Sequence, residues 1–223
     1  MAMSARTPPT LKRPGRPLRD PDDEGVRRRL LEAAAHLFSQ RGSAGVGIRE
    51  ISRSAGVTPG MISYYFGDKQ GLLLAVLADV FERLFKGFQE LAASPPSEVA
   101  LPEAFARLYI GVIGREPWVV PLIVREVLAQ DSPIRARFVE QIAARAAQIV
   151  PQLFAREIRA GRLRADLDPA LAVLSLLGMC VFPFLAHPVI GSVLGYRLDD
   201  TFQRRLIEHT ARLYLEGARE ART

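Results

Sequence analysis

From Val26 onward, apolar residues recur at helical spacing. Leu30, Leu31, Ala34, Leu37 and Phe38 fall on one stripe, and Gly42 follows as a stop. A short helix is predicted over 48–54, with Ile48, Ile51 and Ala55 on one face. Ala55-Gly56-Val57 reads as a tight turn. Thr58 is then a good N-cap, and Pro59 occupies the first helical position that proline favours. This third helix ends near Phe66 at Gly67-Asp68, and Asp68 can cap a long fourth helix bearing Leu72, Leu73, Val76, Leu77, Val80, Phe81, Leu84, Phe85 and Phe88. Further helices are predicted near 101–114, 117–130, 134–161, 169–186 and 199–218, with Pro117, Pro133 and Pro169 at helix starts and Gly161 at a stop. No alternating β-branched run and no internal repeat interrupt this pattern. The expected fold is all-α: a small N-terminal helical unit followed by a larger C-terminal bundle.

Composition narrows the chemistry. The chain of 223 residues is long enough for a core without disulfides or metals, and its single cysteine, Cys180, excludes an internal disulfide. A cytoplasmic protein without cofactors is the natural expectation. The N-terminus lacks the apolar stretch of a signal peptide. No GxSxG, HExxH or CxxC set suggests an enzyme or a metal site. The glycines of 42–47 lack the strand and Gly-Lys-Ser/Thr of a phosphate loop, so they read as a connector. The net charge of +6 is uneven, because residues 1–72 hold 12 Lys/Arg against 7 Asp/Glu. That asymmetry points to a polyanion, nucleic acid or an anionic membrane, at this end.

Two short helices joined by a glycine turn in a basic region form the pattern of a helix-turn-helix. Ile62 and Phe66 can bury one face of its second helix. Pro59, Gly60, Met61, Ser63 and Tyr64 remain for the major groove, and Arg49 on the first helix suits a phosphate or base edge. Residues 27–73 resemble the DNA-binding domain of the TetR family of bacterial transcriptional regulators. The resemblance rests on Ala33, Ala34, Leu37, Phe38 and Gly42, then Ile51, Ala55, Gly56 and Val57, then Gly60, Ile62, Tyr65, Phe66, Lys69 and Leu72. It implies that Thr58, Tyr65 and Lys69 contact DNA phosphates. Ser63 departs from a common family tyrosine, and Val46-Gly47 replaces the usual hydroxyl cap before the second helix. Beyond residue 90 no motif matches, and the resemblance implies only a helical domain for ligand binding and dimerisation.

The expected division is therefore a basic arm over 1–24, a DNA-binding domain over 25–72 and a ligand-binding and dimerisation domain over 73–223. In the arm, Arg13 and the Gly15-Arg16-Pro17 core resemble an AT-hook, which places arginine in a narrow minor groove. In the C-terminal half, Phe105, Tyr109, Trp118, Arg125, Met179, Cys180, Phe182 and His187 are candidates for an effector pocket; ordinary core packing is the competing reading. Arg125-Glu126 reads equally as a ligand-reading pair or a surface charge pair.

The stretch 169–196 carries no Asp, Glu, Lys or Arg, a length that would span a bilayer, but Pro183 and Pro188 interrupt it. A helix buried in the protein or in a dimer fits better. Leu174 and Leu177 on this helix and Phe202, Leu206, Leu213 and Tyr214 on the last one are the dimerisation candidates. The resulting expectation is a homodimeric repressor with no membrane association. It would be released from a palindromic operator in double-stranded DNA by a small-molecule effector. The alternative is a non-specific or membrane-associated DNA-binding protein with no inducer.

Overall fold

The computed structural model describes residues 23–94 and 99–218. Arg13 and Arg16 lie outside these residues. Among the described residues there is no strand. Helix α1 (Asp23–Arg41) buries Val26, Leu30, Ala33, Ala34 and Phe38, the stripe its spacing predicts. α2 (Ile48–Ser54) and α3 (Gly60–Phe66) cross beneath it. α4 (Lys69–Ala93) begins where Asp68 accepts a 2.6 Å hydrogen bond from the Gly71 N–H, the cap expected at that position.

α4 joins the two halves of the molecule. Its N-terminal part packs on α1 and α3; its C-terminal part packs on α5 (Leu101–Ile113) and α8 (Ala144–Arg159). One buried cluster therefore runs from Val26 to Phe184 without a gap. At its centre Phe105 lies 5.2 Å from the Phe88 ring, 5.8 Å from Tyr109 and 6.2 Å from Phe154. α8 is tied to α4 by the Arg145–Glu82 ion pair, by the Arg145 guanidinium 4.1 Å over the Phe85 ring, and by Arg156 donating to the Ala92 carbonyl.

The helix expected over 134–161 is less regular than its pattern suggested. A short α7 (Arg135–Phe138) passes through a π-helical turn, Val139–Ala143, before α8 begins. α6 (Val119–Glu126) is shorter than expected, and the chain then turns to reach α7.

α9 (Pro169–Ala186) starts on an Asp168 cap and buries Ala172, Leu176, Cys180 and Phe184. These lie four residues apart, a narrow stripe that covers only one side of the helix. Leu171, Leu174, Phe182 and Leu185 remain exposed on the rest. A π-helical turn (His187–Gly191) and α10 (Ser192–Leu194) extend this surface with exposed Val189, Val193 and Leu194. The run Pro169–Leu194 is long and apolar enough to cross a membrane, and only 22% of its most apolar stretch is buried within the chain. Full burial inside one protomer, one of the two expectations, is thus corrected: among the described residues nothing covers the face of α9 that carries Leu171, Leu174, Phe182 and Leu185. Burial also pushes the Cys180 thiol up to about 12, so it stays protonated and inert at neutral pH. α11 (Asp200–Ala218) closes the bundle against α5 and α9.

Candidate nucleic-acid interface

The pair α2–α3 is held from behind and open in front. Ile51 and Ile62 are buried under α1 and α4. Between the helices Gly56 adopts φ +67°, the left-handed region that residues with a Cβ avoid, and a Cβ there would meet no neighbour. Gly56→Ala therefore tests backbone strain alone. It is expected to destabilise the protein by about 1–2 kcal/mol, read as a fall of a few degrees in Tm.

The outward face carries Arg49 and Arg53 from α2, one helical turn apart, with Thr58, Pro59, Gly60, Ser63 and Tyr64 from the turn and α3. All seven are exposed; Tyr64 is 58% exposed, with its ring edge-on to Tyr65 at 4.9 Å. Met61 is half-buried against the core. Arg53 is a member of this face that the sequence reading omitted. Its four-residue spacing from Arg49 was the available signal. Two cations, hydroxyls and a phenol, all exposed on this pair of helices and its turn, can meet phosphates and base edges.

Three expectations change on the structure. α3 begins at Gly60 with Pro59 as its N-cap and no side-chain cap bond, so Thr58 does not cap it; its exposed side chain faces solvent instead. Tyr65 is half-buried and donates its hydroxyl to the Asp23 carboxylate, pinning α3 to the start of α1. Lys69 turns its ammonium inward, donating to the carbonyls of Ser43 (3.0 Å) and Val46 (3.2 Å). These two bonds tie the start of α4 to the α1–α2 turn, so Lys69 braces the interface from inside. Arg27 lies over the Phe66 ring, 5.6 Å from its centroid, shielding the end of α3.

The eight effector-pocket candidates do not come together. Phe105, Tyr109 and Cys180 are buried in the packed core, and burial raises the Tyr109 phenol far above its ordinary range. Trp118 lines a cleft of about 590 Å³ with Arg28, Glu32, His36, Asp79 and Glu116, whereas Met179 lines a different groove beside Tyr214. His187 sits against Tyr196. Phe182 is 57% exposed on the uncovered face of α9. Arg125 covers Gly42 of the DNA-binding unit, with its Nε 3.3 Å from Glu126.

The dimerisation candidates divide more simply. Leu174 and Leu213 point outward, while Leu177 and Leu206 are half-buried. Phe202, also half-buried, stacks on Tyr196 at 4.4 Å. Tyr214 faces inward: its hydroxyl donates to the Ala172 carbonyl at 2.8 Å, its ring meets Phe154 edge-on, and burial pushes its phenol up to about 12. Its role is to tie α11 to α9.

Comparison with known proteins places this geometry. Residues 30–76, which span α1 to the start of α4, match the family described as bacterial regulatory proteins, tetR family. The chain is 28% identical over 169 residues to the probable HTH-type transcriptional regulator YttP of Bacillus subtilis, covering 74% of this chain and 80% of that protein. It is 29% identical over 183 residues to the HTH-type transcriptional repressor NicS of Pseudomonas putida, covering 78% and 83%. The fold matches AibR, solved in complex with isovaleryl coenzyme A and operator DNA, with a TM-score of 0.63 at 18% identity over 84% of this chain and 97% of that one. With an exposed helix-turn-helix on a shared helical scaffold, and similarity to transcriptional regulators over most of its length, the chain carries at residues 30–76 the DNA-binding domain of the tetR family of bacterial regulatory proteins.

Proposed function

We propose that this protein is a homodimeric repressor whose two α3 helices enter successive major grooves of a palindromic operator. A small effector bound in the helical bundle releases it. The observation that carries the reading is the exposed face of Arg49, Arg53, Thr58, Ser63 and Tyr64 on a pair of helices fixed from behind. The uncovered apolar surface of α9 and α10 supports the dimer. It is charge-free and continuous, and an isologous contact with a second copy would cover it on both partners. The protein then acts in the cytoplasm, and no catalytic role is assigned to it.

The effector is proposed to be largely apolar, because aromatic and aliphatic side chains fill the bundle between α4, α5, α8 and α9, and a ligand entering there would have to open a cavity among them. The complex of AibR with isovaleryl coenzyme A makes an acyl-coenzyme A thioester the first class to try. The test is release of operator DNA, followed by fluorescence anisotropy, on titration with thioesters of increasing chain length. A ligand that binds the DNA-free arrangement better must weaken DNA binding by the same factor that DNA weakens ligand binding. A chain-length-dependent rise in the apparent Kd for DNA supports the reading. Unchanged anisotropy across the series, with free coenzyme A as control, removes this effector class.

A further inference from the structure

We propose that the segment 125–137 is a rigid strap that fixes the angle of the helix-turn-helix relative to the dimer face, with Glu126 as its main grip. The proposal deepens the operator-binding reading and rests on it.

The strap touches both turns that flank α2 and α3. At its first end the Glu126 carboxylate, 15% exposed, accepts from the Ser43 N–H at 3.0 Å and from the Ser43 hydroxyl at 2.5 Å. Ser43 lies in the α1–α2 turn, 83 residues away in sequence. Its carbonyl is the one that Lys69 holds from the other side. Arg125 lies directly over Gly42, in the same turn. At its second end the Arg137 guanidinium lies 4.0 Å from the Asp68 carboxylate, the cap of α4 that follows α3. Both charged groups there are well exposed, so this grip is the weaker one. The Glu126 bonds are charge-assisted and largely shielded from water, and a turn N–H would be left without its partner if they broke.

The segment between the grips is stiff. Ser132 donates its hydroxyl to the Glu126 carbonyl at 2.5 Å. A single guanidinium, that of Arg135, donates to the carbonyls of Val127, Leu128, Ala129 and Gln130. Val127 and Ile134 are buried, and Phe138 packs edge-on against Phe81 of α4 at 5.6 Å. At the other side α6 rests on α9, the helix whose outer surface faces the proposed second copy. The strap thus connects the dimer face to the two turns that hold α3. In a two-fold dimer that angle sets the distance between recognition helices, and hence the spacing of half-sites the protein accepts.

The test uses the full-length protein and a set of duplexes. Each duplex carries the inverted repeat selected by the wild type, with its spacer varied in single-base-pair steps. Wild type is expected to prefer one spacer over its neighbours by about tenfold. Glu126→Ala is expected to flatten that preference to under about threefold while keeping the same half-site sequence and faster exchange of the Ser43 amide. Glu126→Gln, which retains an acceptor for the Ser43 N–H, should restore most of the preference, and Arg137→Ala should have the smaller effect. Ser43→Ala, which removes only the hydroxyl bond, serves if Glu126→Ala fails to fold, with partial flattening expected. An unchanged spacer profile in the folded variants, with the wild-type repeat intact, overturns the strap alone. Failure of the wild type to enrich any inverted repeat overturns the operator reading and the spacing role together.

Discussion

Leu174→Asp is expected to leave the chain folded and helical but monomeric, and to weaken operator binding by about a thousandfold. Leu174 is 61% exposed in the single chain, so the substitution removes little internal packing and places a charge where the described chain leaves space for one. The helical circular dichroism and Tm of the monomer should change little for that reason. In a symmetric dimer the situation reverses. The same side chain meets its two-fold mate or a neighbour across an apolar face, and both copies carry the new carboxylate. Removing two such charges from water without partners costs several kcal/mol each. The face proposed to pair exposes Leu171, Phe182, Leu185, Val189 and Val193, none of which can pair with a carboxylate. Sedimentation should give the 24.6 kDa mass of one chain. Each half-site contact then binds alone, and the avidity of the second is lost. Gln148→Asp, which adds the same charge at an exposed position on α8 and not on α9, is the control and should leave the dimer intact. A stable dimer of Leu174→Asp would show that another surface pairs the subunits.

The double replacement of Arg49 and Tyr64 by alanine is expected to weaken operator binding by about a hundredfold or more, at roughly 1–3 kcal/mol for each direct contact. Both side chains are exposed, so Tm should stay within about 1 °C of wild type. The single variants should separate the two roles. Arg49→Ala should lower affinity for all sequences alike and reduce the slope of log K against log salt by about one, the signature of a phosphate contact. Tyr64→Ala should relax preference at particular base positions if the phenol meets a base edge, and act uniformly if it meets a phosphate. Tyr65→Phe makes the useful contrast. Its hydroxyl is committed to Asp23, so its removal should lower stability by about 1 kcal/mol and leave the salt slope unchanged. If Arg49 and Tyr64 prove neutral and Tyr65 does not, the DNA face has been placed on the wrong side of α3.

The N-terminal unit was legible in the sequence because local rules dominate there. The Asp68 cap, the Gly56 turn, and Ile51 and Ile62 on the inner faces all act over a few residues, and α2 spans 48–54 as its pattern predicts. Aromatic residues at helical spacing were less informative. Phe105 and Tyr109 fit a pocket wall and a packed core equally well as a pattern, and only their neighbours Phe88 and Phe154 distinguish the two. Phe182 looked like its buried neighbour Phe184, yet two residues along a helix is just over a half-turn, enough to put it on the opposite side. The partners of Lys69 and Glu126 were hidden for a different reason. The resemblance implies a phosphate contact for Lys69 and the sequence leaves Glu126 open between a ligand-reading and a surface pair, whereas their partners Val46 and Ser43 become neighbours only once α1, α4 and α6 have packed together. No periodicity along one helix reports such a meeting.

Sequence-specific, two-fold DNA recognition is the centre of this account, and selection from random duplex DNA near physiological salt tests it most directly. The bound pool should be dominated by one inverted repeat with half-sites about one helical turn apart, or a multiple of it. Arg49→Ala should enrich the same repeat more weakly. A bound pool with no shared sequence, from folded dimeric protein whose binding collapses with salt, would contradict the account and identify a non-specific binder.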